Sequence, residues 1–150
     1  AVRPFGPPLA AELDIDLDPD LPLEDYLRAF GEIYAKDTFS RKSLAFYRII
    51  MHEAMNIPNL GEIAFRDSEE MGTRKLEEAL ARKIVPLPDG FESHAQLAAT
   101  FASLLRGDLH LQASLNPSLE ITPAQRSAQV DLGVMVFLRA IGIAEQSTRR

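Results

Sequence analysis

The 150-residue chain contains no cysteine. Neither disulfides nor thiolate chemistry are open to it, and a reducing cytosol is the expected compartment. It lacks an uncharged apolar run of the ~18 residues that a membrane span requires. It also lacks a readable secretory leader, because Arg3, Pro4, Pro7 and Pro8 interrupt the first residues. Base is in deficit: 16 Lys and Arg stand against 22 Asp and Glu, for a net charge of -6. Phosphate contacts need a basic face, so nucleic-acid binding by these residues is not expected. No Gly-rich phosphate loop, nucleophile elbow or Cys/His pair is present. Strand-like alternation is missing, and so is any repeat of about 20–50 residues.

What is there is helical, in an amount suited to one domain. A chain of this length buries roughly 68–70% of its unfolded surface. The spacing gives an all-α fold, a bundle of five to six helices with neighbours antiparallel. Residues 1–22 read as an acidic, Pro-rich linker in which residues 9–13 close a helix begun upstream. Asp14, Asp16 and Asp18 alternate as at the start of a calcium loop, but Pro19 and Asp25 occupy the positions that need Gly and a bidentate Glu. Residues 23–143 form the helical domain, and 144–150 a frayed tail.

Leu23–Asp37 places Leu23, Tyr26, Leu27, Phe30, Ile33 and Tyr34 on one face. Ser40 caps the next helix, whose Tyr47, Met51 and Met55 repeat at i,i+4. Pro58-Asn59 breaks the chain, and Asn59 caps a long segment running to about Ile84. In it Glu70, Arg74, Glu78 and Arg82 alternate in sign along a solvated face. The stretch from Asp89 to Leu115 is central. Asp89 and Glu92 have capping-box spacing, and the apolar cover is too broad for a one-sided helix. Arg106-Gly107-Asp108 interrupts it, which predicts a kink. Beside His110, Arg106 and Asp108 have the chemistry to bind a polar group, although a cluster satisfying backbone at the kink explains them as well. Thr122-Pro-Ala-Gln125 is a strong helix start, and Gly142 a stop.

For catalysis or metal binding the pattern offers little. His52-Glu53-Ala-Met-Asn56 is one residue short of the zinc-protease helix, because Asn56 replaces the second His. No metal or cofactor is expected. The abundance of aromatic and Met side chains, with Tyr34, Tyr47, Arg48 and His52 among them, favours a ligand pocket over plain core. The expected lining is Phe30, Tyr34, Tyr47, Arg48, Met51, His52, Met55, Phe65, Phe101 and Leu105. The breadth of the last two long helices predicts a homodimer.

Arg48–Phe65 resembles a segment of TetR-family transcriptional regulators. Glu53, Ala54, Pro58, Leu60 and Phe65 fall on its marked positions, and Ile57 stands where Phe is usual. Ala98, Phe101, Leu104, Leu105 and Gly107 resemble the Ala-x-x-Phe-x-x-Leu-Leu-x-Gly pattern of the AefR-like C-terminal domain, and Val130–Gly142 resembles its final helix. The resemblance spans about residues 23–143. It implies the effector-binding and dimerisation half of a cytoplasmic repressor, not an enzyme. The chain's Ala1 start and acidic charge fit the expectation that the family's N-terminal helix-turn-helix lies outside it, so that DNA is bound only through that part. The resemblance further implies a small, mainly apolar effector in the middle helices. It implies a dimer through the last two long helices, here Leu97, Phe101, Leu104, Val130, Val134, Phe137 and Ile141. A ligand-free helical interaction module, or a metal enzyme using His52 and Glu53, are the rival readings.

Overall fold

The computed structural model describes residues 15–143, without the side chains of residues 69–71. The described residues form six helices and no strand: α1 (Leu23–Thr38), α2 (Arg41–Glu53), α3 (Leu60–Gly72), α4 (Arg74–Arg82), α5 (His94–Leu115) and α6 (Pro123–Ala140). The all-α expectation holds. The proposed helix at residues 9–13, the Asp14 position and the tail at 144–150 lie outside the described residues.

Local chemistry fixes several of the helix ends. Ser40 Oγ accepts the Ser43 amide at the start of α2. At α6 the Thr122 hydroxyl accepts the Gln125 amide while the Gln125 side chain accepts the Thr122 amide, a complete capping box with Pro123 in the first turn. Gly142, at φ 77°, ends α6 as the Ile143 amide donates back to Leu138 O.

Two expectations need correction. α5 starts at His94, not near Asp89, because Ser93 is the cap. Its hydroxyl accepts the Gln96 amide, and the Gln96 side chain accepts the Glu92 amide, while Gly90 (φ 93°) keeps the preceding residues in a turn. The segment expected to run unbroken from Leu60 divides at Thr73 into α3 and α4. Gly72 and β-branched Thr73 are both poor helix residues. α4 then closes through Val85 N–H on Leu80 O, with Ile84 at φ 53° and 86% exposed. That position usually takes glycine.

The core lies where α1, α5 and α6 meet. Phe101 is its centre, with ring centroids 6.3 Å from Phe30 and 4.8 Å from Phe137. Gly31 lets α1 and α6 approach closely, since a Cβ there would sit 2.7 Å from Val130 Cγ1. Arg28 bridges Glu24 and Asp131 across the same contact. Leu97, Phe101, Val130, Val134, Phe137 and Ile141, expected at a dimer interface, are instead buried inside one chain, and Leu104 is half-buried against that core. The breadth of the apolar surface on α5 and α6 is covered largely by α1 and α4 of the same chain.

The acidic stretch ahead of α1 is not simply solvated. Ile15 is buried in the core, Lys75 Nζ donates to Ile15 O at 3.0 Å, and Lys83 Nζ donates to the carbonyls of Pro19 and Leu21. These lysines pin residues 15–21 along α4.

Candidate functional site

Among the described side chains, α2 and α3 carry few that are fully buried: Leu44 within α2 and Leu60 at the start of α3. Many of their apolar residues face a cleft instead. It has a volume of about 510 Å³ and lies between α1, α2, α3 and the second half of α5. Each helix presents one face to it at helical spacing. α2 contributes Ser43, Phe46, Tyr47, Ile50 and Met51; α3 contributes Leu60, Ala64, Phe65 and Ser68. α1 adds Tyr34, Asp37 and Thr38, and α5 adds Arg106 and His110. The rim is open, with Phe65 65% exposed.

One end of the cleft is polar. The Tyr34 hydroxyl is buried, which raises its pKa and keeps it a neutral phenol; Thr38 hydrogen-bonds to it. His110 lies edge-on to Tyr47 at 4.9 Å and to Phe39 at 6.0 Å. Burial first, and the charge of Arg106 second, lower its pKa. It is therefore a neutral imidazole at pH 7, able both to donate and to accept. Arg106 supplies a cation at the same end and donates a long 3.3 Å hydrogen bond to Ser103 Oγ.

Of the expected lining, the cleft brings together Tyr34, Tyr47, Met51 and Phe65. Phe30, Phe101 and Leu105 are fully buried in the core and do not line it. Met55 is 82% exposed beyond the end of α2. The helix stops at Glu53, before the residues leading to Pro58, so the i,i+4 face never reaches Met55. His52 points to solvent beside Glu53, 3.8 Å away. Arg48 turns the other way and donates to the carbonyls of Ala113 and Ser114, capping the C-terminal end of α5. No group of three or more His, Cys, Asp or Glu residues is placed to hold a metal among the described residues.

Arg106 and His110, already neighbours at i,i+4 in the sequence, both line the cleft, one on each side of the break at Gly107. A second cleft of about 520 Å³, lined by Phe39, Arg41, Leu44, Arg48, Glu120 and Arg126, is a poorer site. Its arginines already serve Glu120 and backbone carbonyls.

Residues 25–142 match the family model described as the AefR-like transcriptional repressor C-terminal domain. The chain belongs to this TetR-family domain. No curated protein matches the chain. Among solved structures, the flavonoid-responsive regulator FrrA is similar, with a TM-score of 0.69 and 29% identity; the alignment covers 88% of this chain and 68% of that one. The AefR-like domain is a regulatory, ligand-binding and dimerisation module, and TetR-family regulators act as dimers that bind DNA and small effectors. Among the described residues no helix is long and apolar enough to cross a membrane.

On the AefR-like domain's surface, α6 carries a solvent-exposed apolar stripe at i,i+4: Ala128, Leu132, Val136 and Ala140. Leu111 and Leu115 are exposed on α5.

Proposed function

We propose that the cleft between α1, α2, α3 and α5 is the effector site, and that it takes a flat, amphipathic aromatic molecule of the flavonoid class. One observation carries this reading: a cleft of about 510 Å³ with an aromatic and Met-rich wall and a single polar end. Ligand pockets of roughly 300–1,000 Å³ suit molecules of drug size. Phe46, Tyr47, Met51 and Phe65 provide surfaces for a ring system, and Met adapts to an irregular outline at low strain. Tyr34, Arg106 and His110 provide partners for a phenolic hydroxyl or ring carbonyl. The likeness to FrrA, described as flavonoid-responsive, selects the ligand class.

The protein acts as a homodimeric regulator. The exposed α6 stripe through Leu132 and Val136 forms the contact between copies. An effector that binds one conformation of the cleft better shifts the dimer toward it. DNA contact belongs to a helix-turn-helix outside residues 25–142. Half-sites lie about 34–36 Å apart on DNA, so a small change in dimer geometry alters operator affinity.

Calorimetric titration with apigenin, a plain hydroxylated flavone, tests the site. Ala64→Trp fills the middle of the cleft wall and should abolish binding while leaving the core intact. Equal binding by wild type and Ala64→Trp would place the ligand elsewhere.

A further inference from the structure

α5 is broken at Gly107, whose φ of 48° and ψ of -159° fall where only glycine sits at low cost. In a continuous helix the Leu104 carbonyl would accept the Asp108 amide. At Gly107 the peptide carrying that amide is turned out of helical register. Gln129 of α6 takes the acceptor instead, its Nε2 donating to Leu104 O at 2.7 Å. The same side-chain amide covers Gly107, where a Cβ would lie 2.5 Å from Nε2 and 3.0 Å from Cδ. Gln129 thus uses both the carbonyl and the space that the break opens. It is not part of the cleft wall. Arg106 and His110, one on each side of the break, are.

We propose that Gln129 is a positioning residue for the cleft: through Leu104 O and Gly107 it holds the broken turn that aims Arg106 and His110 at a ligand. Withdraw Gln129, and the helix's own Asp108 amide competes for Leu104 O. Residues 108–115 then rotate to follow, carrying His110 off the wall. The two arrangements are discrete, because Gln129 and Asp108 contend for one helical position. The clasp also ties the cleft to α6, since Ala128 and Leu132 of the exposed stripe flank Gln129 on the same helix. Movement at the polar end of the cleft is therefore felt on the surface proposed to join two copies.

The functional part of this inference rests on the cleft being the ligand site; the structural part does not, and the test separates them. Gln129→Met keeps length and removes the donor; Gly107→Ala disfavours the break itself. The ring resonances of His52, His94 and His110 are followed by NMR in the full chain without ligand. His52 is exposed and His94 is bonded to Val85 O at 2.8 Å, so both serve as controls away from the break. In both variants the His110 signal should move and its controls stay. Apigenin should then bind Gln129→Met about five- to tenfold more weakly than wild type, the worth of one neutral hydrogen bond. If Gly107→Ala does not fold, Gln129→Met decides alone. An unmoved His110, equal displacement of all three histidines, or wild-type apigenin affinity in Gln129→Met would each overturn the positioning role. If wild type itself does not bind apigenin, the ligand reading fails, and the His110 resonance still decides the clasp.

Discussion

Phe101 and Met51 were alike as entries in an apolar pattern, and they differ in what their loss costs. Phe101 is fully buried among Phe30, Phe137 and Leu105, so Phe101→Ala should destabilise by about 3–5 kcal/mol in urea unfolding. Met51 stands exposed on the cleft wall, and Met51→Ala should change stability by no more than about 0.5 kcal/mol while weakening ligand binding. Comparable losses from the two would mean that the cleft is packed core. His110 makes stability depend on pH. Burial lowers its folded pKa below the ordinary 6.5, so the unfolded chain takes up the proton first as pH falls. Its contribution is complete above about pH 6.5 and is lost on acidification through the lower folded value. Melting curves from pH 7.5 to 5 should show this decline, and His110→Phe should flatten it. An unchanged slope in His110→Phe would assign the decline to other groups.

At the scale of elements, the ends were legible wherever one local signal acted alone. Thr122-Pro-Ala-Gln125, Ser40 and Gly142 each set an end through a bond to a neighbouring amide or carbonyl, and Gly107 marked the break in α5. Where two signals competed, spacing did not choose. Asp89-x-x-Glu92 and Ser93-x-x-Gln96 are both adequate caps, and the turn at Gly90 favours the second. The cleft was half legible for a related reason. Core and pocket aromatics share the same 3.6 period, so Phe30 and Phe101 could not be told from Tyr34 and Phe65 without knowing which helices lie behind them. The same ambiguity put at the dimer contact an arc of α6 that is buried within one chain, while Leu132 and Val136 lie on a second arc that is exposed. A consequence concerns mobility. With so few buried side chains, α2 and α3 are held less firmly than α1, α5 and α6. Without ligand, their amides should exchange with deuterium well before those of α1 and α6. Uniform exchange across all six helices would contradict this division.

At the scale of the molecule, a rigid base of α1, α4, α5 and α6 carries a looser pair, α2 and α3, with the cleft between them. That arrangement suits a protein whose conformation a ligand must bias, because the ligand orders the part with least stability of its own. Two copies would join through α6. Sedimentation at micromolar concentration should therefore give twice the chain mass, and Val136→Glu should give a folded monomer; a dimer unaffected by this charge would move the interface off the stripe. The central claim, that an aromatic effector enters the cleft and orders α2 and α3, is tested most directly by deuterium exchange of the full chain with and without saturating apigenin. Protection should rise in α2, in α3 and around Arg106–His110, and stay level at Ser118–Ile121, the part of the second cleft that lies outside α2. No change in α2 and α3, or protection confined to that second cleft, would contradict the account.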